Sequence, residues 1–114
     1  MLTSGDVVDL DLGLTAGREA GFRHLAVVVT AQRVLDAEPS VVQVVPVTSA
    51  LRGFESEVEL EADPENGLDR ASAAQCQHIR SVASSRIENT RGNVGGAALL
   101  QIREVLGLIL EVRR

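Results

Sequence analysis

Short apolar stretches, several of them alternating with polar residues, run through most of this chain and predict β-strands. Residues 7–12 alternate Val and Leu with Asp, which is the pattern of a strand with one buried face. Residues 25–30 and 41–47 are nearly continuous valine-rich runs, typical of strands buried on both faces. Pro46 cannot donate to a ladder, so it predicts an edge or a bulge near the end of the third run.

Three weaker strand signals follow, and the chain closes on one strong helix. Residues 55–61 alternate acids with apolar residues and predict a fourth strand that shows a charged face to water. Residues 71–76 and 91–94 predict a fifth and a sixth strand, and residues 84–87 a single helical turn between them. From 95 to 112, apolar residues recur at three- and four-residue spacing, which predicts a helix packed on the sheet. We therefore predict a mainly β (α+β) fold, a small bent sheet or partly open barrel of about six short strands with one C-terminal helix.

Length and composition narrow the class of protein. The chain has 114 residues, enough for one core, so residues 1–114 are expected to form a single domain. Aromatic residues are only 2% of the sequence, which argues against a module that binds nucleic acid by base stacking. The lone cysteine, Cys76, excludes a disulfide framework and a Cys-based zinc site. The chain shows neither an apolar run of membrane-span length nor a signal-peptide start, so we expect a cytoplasmic protein without a membrane segment.

The charges are segregated along the chain. The formal net charge is −5, which by itself disfavours a nucleic-acid partner. Residues 55–69 contain seven acids and no arginine, whereas residues 70–103 contain five arginines and a single acid, Glu88. All basic residues are Arg, the better side chain for bidentate phosphate contacts, although biased genomic composition explains this equally well. A local basic face on an acidic protein therefore remains possible.

Two segments carry exposed polar groups beside the predicted strands. Thr48 and Ser49 end the third strand, where a buried valine run holds them at a rim. The alternative is that they only cap the turn that follows. The loop at residues 13–21 contains three glycines and is long for a hairpin, and long ordered loops tend to be functional. Arg23 and His24 stand at the start of the second strand.

Several short motifs follow one another along the chain in a fixed order. They are Gly5-Asp6-Val7, Asp11, Gly17-Arg18-Glu19, the run Ala-Val-Val-Val at 26–29, Pro46-Val47-Thr48-Ser49, the run Gln-His-Ile-Arg-Ser at 77–81, and Arg86-Ile87. In this order and spacing they resemble the MazF/PemK/Kid family of toxins from bacterial toxin–antitoxin pairs. The resemblance spans nearly the whole chain.

The resemblance implies a fold, an activity and partners. The expected fold is an SH3-like, CcdB/PemK-like barrel that pairs into a homodimer. The expected activity is that of an mRNA interferase, an endoribonuclease that cuts single-stranded RNA at short sequences without the ribosome. The implied cleavage needs no metal or other cofactor, because the RNA 2′-hydroxyl attacks the neighbouring phosphate. The implied partner besides RNA is a cognate antitoxin, a small acidic protein encoded next to the toxin.

The same resemblance assigns roles to individual residues. We expect His24 to act as acid or base, since imidazole titrates near neutral pH, and Thr48 to donate to the phosphate. The arginines expected to contact phosphate or substrate are Arg18, Arg23 and Arg80, of which Arg23 and Arg80 are placed in the catalytic group. The remaining substrate-binding candidates are Glu19, Ser49, Gln77 and His78.

Each assignment has a structural alternative. His24 could simply be satisfied by a backbone group, and Arg80 could close the 13–21 loop around Glu19. Ser49, Gln77 and His78 could likewise complete backbone hydrogen bonds.

The chain also departs from the family pattern at two positions. His24-Leu25 stand where the family usually has Arg-Pro, and Gln77 stands where relatives have Asp or Glu. The alternative function is therefore a weakened toxin fold that acts only by binding an antitoxin or another protein, such as gyrase in the CcdB toxins. The intact Thr48-Ser49 pair favours the nuclease, and the C-terminal residues 111–114 lack the apolar or aromatic tail that CcdB-like poisoning needs.

Overall fold

Seven strands and one long helix make up most of the structure, a computed structural model that describes residues 1–11 and 24–112. The strands are β1 (Asp6–Leu10), β2 (His24–Val28), β3 (Val41–Thr48), β4 (Glu57–Leu60), β5 (Ser72–Gln75), β6 (Arg80–Ala83) and β7 (Ile87–Asn93). The helices are α1 (Gln32–Leu35) and α2 (Gly95–Leu110), and two single 3-10 turns cover Cys76–His78 and Ser84–Arg86.

The mainly β fold with a C-terminal helix is confirmed, but the strand count is seven rather than about six. The sequence analysis missed β6, because four residues with a single buried apolar side chain, Val82, give no readable period. The last strand begins at Ile87 rather than at Arg91. Its exposed polar residues hide the alternation by which a strand is recognised.

Strand β3 organises the sheet. All pairings are antiparallel, and the strand order is β4-β5-β3-β2-β1-β7. Along one side, β3 pairs first with β6, where Val44 faces Arg80, and then with β5, where Val47 faces Ala74. Pro46 lies at this change of partner and pairs with Ala26 of β2 on its other side. The predicted edge is thus a local gap within the sheet.

Within the described residues the sheet stays open, with β4 and β7 at its two ends. Strand β1 is buried along all five residues, so the expectation of a half-buried strand was wrong. It lies between β2 and β7, and its two acids are satisfied by side chains from β7. Asp6 accepts from Asn93 at 3.1 Å, and Asp9 is paired with Arg91.

The sheet separates two hydrophobic cores. The helix-side core packs α2 against one face, and its buried members are Val7, Val27, Val29, Val45, Val58, Leu60, Leu68, Ala74, Cys76, Leu99, Ile102 and Leu106. The opposite core lies on the other face and contains Val8, Leu10, Ala26, Val28, Leu35, Val42, Val44 and Val82. Side chains along a strand alternate between the two faces of the sheet. The core to which a strand residue belongs therefore shows on which face its neighbours in that strand lie.

Helix α2 is buried on one stripe only. Leu99, Ile102 and Leu106 face the sheet, as the apolar period predicts, but Ile109 and Val112 of the same period are exposed and the helix ends at Leu110 rather than at 112. The helix and its end also expose large apolar side chains, namely Leu100, Leu108, Ile109, Leu110 and Val112. Over residues 1–11 and 24–112, no helix has both the length and the apolar character needed to cross a membrane.

Candidate functional site

The side chains of His24 and Thr48 lie on the sheet face opposite α2. His24 alternates with Leu25, and Thr48 with Val47, and both of these apolar residues pack against the helix-side core. The ladder between β2 and β3 ends with Ala26 opposite Pro46, and His24 and Thr48 each lie two residues beyond that pair. The imidazole and the hydroxyl are thereby placed on neighbouring strands of one face.

Thr48 caps the turn that follows β3. Its Oγ1 accepts a hydrogen bond from the backbone N–H of Ala50 at 3.1 Å, as the structural alternative anticipated. A hydroxyl that accepts in this way still has its own proton to donate. The cap therefore fixes the position of the Thr48 oxygen without using its donor capacity. Ser49, the next residue, is exposed.

Arg80 lies farther along the same face. It is the first residue of β6, it is exposed, and it pairs with Val44 of β3. Arg80 alternates with Ser81 and shares its face with Val82, a member of the opposite core. Four residues of β3 separate Val44 from Thr48, a distance of about 14 Å along an extended strand. Arg80 thus borders the surface around Thr48 without being opposite it.

Gln77 and His78 occupy the 3-10 turn between β5 and β6. His78 is exposed, whereas Gln77 is half-buried and directed at a carboxylate. The Nε2 atom of Gln77 donates to Oε2 of Glu57 at 2.7 Å. Among the described residues, neither side chain makes the backbone hydrogen bond that the structural alternative proposed for it. The partner of Gln77 is instead a side chain that the sequence analysis placed in water.

Glu57 corrects the expectation of a charged strand face in solvent. Its side chain is only 2% exposed, whereas its neighbours on the same face, Glu59 and Glu61, are exposed. Oε2 of Glu57 accepts from Arg52 at 2.5 Å and from Gln75 at 3.4 Å, in addition to Gln77. We call these four side chains, Arg52, Glu57, Gln75 and Gln77, the Glu57 cluster.

The electrostatics of the Glu57 cluster favour an ionised carboxylate. The hydrogen bond from Gln77, foremost, and those from Arg52 and Gln75 hold the pKa of Glu57 below its ordinary value, although burial acts in the opposite direction. Arg52 also stacks over the Phe54 ring, with its guanidinium carbon 4.6 Å from the ring centroid. The segment that follows Thr48 is therefore tied to the start of β4.

No pattern in the sequence indicated the role of Glu57. Alternation with Val58 shows which face it occupies, but not that donors from β5 and the following 3-10 turn cover it. On that face Gln75 is directly opposite Glu57. Three other predicted site residues, Arg18, Glu19 and Arg23, lie outside the residues that the structure describes.

Among residues 1–11 and 24–112 there is no group of three or more His, Cys, Asp or Glu side chains able to hold a metal ion.

Comparison with known proteins places the chain among relatives that share its whole length. It is 34% identical over 117 aligned positions to "Endoribonuclease MazF9" of Mycobacterium tuberculosis, and the alignment covers 98% of both chains. Two solved structures are similar in fold. One is MazE–MazF from Deinococcus radiodurans, with a TM-score of 0.78, 28% identity and 96% of each chain covered. The other is an endoribonuclease in complex with its cognate antitoxin from a mycobacterial species, with a TM-score of 0.76, 16% identity, and coverage of 100% of this chain and 99% of that chain.

The family model for the PemK-like, MazF-like toxin of type II toxin–antitoxin systems matches residues 3–110. That match includes every described strand, helix α2, and the face that bears His24 and Thr48. The chain therefore belongs to the family of PemK-like, MazF-like toxins of type II toxin–antitoxin systems.

Proposed function

We propose that this chain is the toxin of a type II toxin–antitoxin pair and acts as a ribosome-independent, sequence-specific endoribonuclease on single-stranded RNA. The observation that carries the proposal is membership of the toxin family together with a sheet face that bears His24 and Thr48 on the neighbouring strands β2 and β3. A relative 34% identical over nearly the full length bears the name endoribonuclease. The proposed unit is the single domain of residues 1–114, acting in the cytoplasm where its RNA substrate lies.

The proposed reaction is a transfer within the RNA. The 2′-oxygen attacks the adjacent phosphorus, the bond from phosphorus to the 5′-oxygen breaks, and the products are a cyclic phosphate and a free 5′-hydroxyl. One proton leaves the 2′-hydroxyl and one reaches the 5′-oxygen, so a base and an acid are needed. His24 supplies one of these roles, and the Thr48 hydroxyl donates to a non-bridging oxygen as its charge increases. This reaction calls for no cofactor.

The other predicted site residues are proposed to bind the nucleotides on either side of the reacting phosphate. Arg80 contributes positive charge at the border of the face, with Arg18 and Arg23 proposed for the same purpose. Ser49, Gln77, His78 and Glu19 are proposed substrate contacts. Since Arg is always ionised, its contribution is to bind and stabilise charge, and the proton transfer falls to His24.

Cleavage of a transcribed mRNA of mixed sequence tests the proposal directly. The purified chain, without ribosomes and in the presence of EDTA, should produce fragments with 5′-hydroxyl ends at recurring short sequences. The same RNA with 2′-O-methyl groups should remain intact, because it lacks the attacking hydroxyl. If the natural chain cuts nothing while the His24→Arg, Leu25→Pro double variant does, the protein is a toxin fold that acts by binding alone.

We also propose that the toxin is neutralised by an acidic antitoxin that occupies the same face. Carboxylates of such a partner can accept the hydrogen bonds that phosphate oxygens would otherwise accept. The antitoxin should therefore compete with RNA and lose affinity when Arg80 is changed to Ala. An antitoxin that bound only the acidic strand β4, at Glu59 and Glu61, would contradict this placement.

A homodimer is proposed from the unpartnered apolar surface of α2. Leu100, Leu108 and Leu110 are exposed by 54%, 81% and 58%, respectively, and such exposed patches mark association surfaces. Sedimentation at micromolar concentration should show a dimer for the natural chain and a monomer for Leu108→Glu. A natural chain that sediments only as monomer would refute the dimer.

A further inference from the structure

Two buried oxygen atoms in the Glu57 cluster have no hydrogen-bond donor. They are Oε1 of Glu57 and Oε1 of Gln77, both inaccessible to solvent and without a partner among the described residues. The other carboxylate oxygen of Glu57 meanwhile receives all three donors, from Arg52, Gln75 and Gln77. Buried acceptors are nearly always satisfied in native proteins, so this pair indicates that a donor group is missing.

The charge of Glu57 determines how the Gln77 amide is oriented. An ionised carboxylate can only accept hydrogen bonds, so the Gln77 NH2 group must face it. The carbonyl end of the amide must then point away from Glu57. If the amide were reversed, its oxygen would be placed against a carboxylate oxygen, with like partial charges in contact. Gln77 is thereby fixed as an acceptor toward any group on its other side.

The cluster lies on the face that carries the proposed RNA chemistry. Glu57 is opposite Gln75, and Thr48 is opposite Ala73, two residues away on the same strand β5 and therefore on the same face. By strand geometry the Cα atoms of Glu57 and Thr48 are about 12 Å apart. Gln77 is only half-buried, so a base next to the cleaved phosphate reaches its carbonyl oxygen by displacing the groups that cover that atom.

We propose that Glu57 is a positioning residue of the RNA site, which holds the Gln77 amide so that its carbonyl oxygen selects an RNA base with an N–H donor. This inference rests on the proposed endoribonuclease function. The donor is an exocyclic amine or a ring N–H of the base. An ordered water is the other possible source of the same donor, and the experiment below separates the two.

The experiment reads the sequences at which a transcribed mRNA of mixed sequence is cut. Wild type, Glu57→Gln, Gln77→Ala and the double variant are compared, with Glu59→Gln as matched control, since Glu59 is exposed on the same face of β4. Glu57→Gln and Gln77→Ala should relax base preference at the same single position by roughly tenfold, as expected when one hydrogen-bonded base contact is lost. The double variant should be no more relaxed than Gln77→Ala, because Glu57 acts through Gln77. Glu59→Gln should cut with the wild-type preference.

The contrary results are equally specific. If the two single effects multiply in the double variant, Glu57 does not act through Gln77. If Glu57→Gln lowers the unfolding temperature but leaves the cut sequences and rate unchanged, the carboxylate is structural and water supplies the missing donor. Either result overturns the proposal.

A second measurement does not depend on RNA cleavage. In 15N-labelled protein, the side-chain NH2 signals of Gln77, assigned with Gln77→Ala, should shift as acid protonates Glu57. That shift should occur below the ordinary glutamate range near pH ~4.3 and be absent from Glu57→Gln. Arg52 is the charged side chain that acts on Glu57, and the neighbouring Cys76 thiol, whose pKa is raised to about 11 mainly by burial, stays protonated throughout that range. If the shift is seen but no RNA is cut, the hold on Gln77 stands and the proposed function fails; if the shift is absent, the positioning role fails.

Discussion

Nε of Arg91 lies 3.2 and 3.1 Å from the two carboxylate oxygens of Asp9, and this contact joins strand β7 to the buried strand β1. The Asp9 side chain is 5% exposed, whereas that of Arg91 is 37% exposed. The two partners are therefore not equivalent. Removal of the arginine leaves a buried charge without its partner, which costs far more than removal of a charge that water can reach.

We expect Arg91→Met to destabilise the fold by about 3–5 kcal/mol, the cost of breaking a buried ion pair on one side. The methionine keeps much of the apolar stem, so the loss reports mainly on the charge. Asp69→Asn is the matched control, because Asp69 approaches Arg91 only at 4.0 Å and its side chain is 85% exposed. Urea unfolding should show almost no change for the control. Equal losses of unfolding free energy in both variants would show that the contact with Asp9 stabilises the fold no more than the exposed contact with Asp69.

Cleavage by the natural chain should depend on pH through His24. If His24 is the general acid, the rate falls as pH rises through the imidazole pKa; if it is the base, the rate falls as pH decreases through that pKa, ordinarily ~6.5. His24→Ala should remove this limb and lower the rate by roughly two to four powers of ten. His24→Arg with Leu25→Pro should be active with a flatter profile. His78→Gln, which removes the other histidine of the chain, should keep this pH-dependent limb. If the limb disappeared in His78→Gln, it would not come from His24.

Thr48 should contribute to the rate through its hydroxyl and not through proton transfer. Thr48→Val removes the donor and should slow single-turnover cleavage by roughly 10²–10³-fold without altering the shape of the pH profile. It also removes the cap on the Ala50 N–H, so a loss of about 1 kcal/mol in stability accompanies it. Thr48→Ser keeps both hydrogen bonds and should retain most of the rate. A fully active valine variant would exclude the hydroxyl from the reaction.

Gly92 provides a test of close packing between β7 and the turn at residues 63–67. A Cβ at Gly92 would lie 2.2 Å from the carbonyl oxygen of Glu65, which is backbone and cannot swing aside. Gly92→Ala should therefore cost about 1–3 kcal/mol in urea unfolding. Gly96→Ala is the matched control, since nothing lies within 4 Å of that position in α2. The control should gain up to about 1 kcal/mol from helix propensity, and a loss there would contradict the open space.

Cys76 should be inert while the protein is folded. Its side chain is fully buried, and burial raises the pKa of the thiol to about 11. The reactive thiolate is therefore scarce at pH 8 and has no access to reagents. A disulfide-exchange reagent should label Cys76 in guanidinium but not in buffer. Rapid labelling of the native protein would show that the helix-side core opens readily.

Sequence alone was sufficient for features set by local alternation. The valine runs identify β2 and β3, and the faces of His24 and Thr48 follow from the apolar residues beside them. The apolar period of α2 likewise gives its start and the buried residues Leu99, Ile102 and Leu106, but not its end at Leu110 or the exposure of Ile109.

Features that depend on distant partners could not be predicted in this way. The burial of Glu57 depends on Gln75 and Gln77, which are 18 and 20 residues away along the chain. The burial of Asp9 depends on Arg91, 82 residues later. An acid that alternates with apolar residues along a strand is predicted to be exposed to solvent unless the residue that pairs with its charge is known. The period of the sequence does not identify that partner.

The change of partner along β3 has a consequence for the cooperativity of the fold. Strands β4 and β5 pair with each other over four residues, but β5 joins β3 through only two pairs, Val47 with Ala74 and Thr48 with Ala73. This hairpin at the end of the sheet is held by so short a ladder and otherwise by Val58, Leu60 and Ala74 in the helix-side core, and it is expected to unfold locally as a unit before the rest of the sheet does. Its backbone amides should exchange with deuterium sooner than those of β1 and β2. Each such opening would carry Glu57 away from Thr48, so the lifetime of the closed hairpin limits how long the polar face stays assembled.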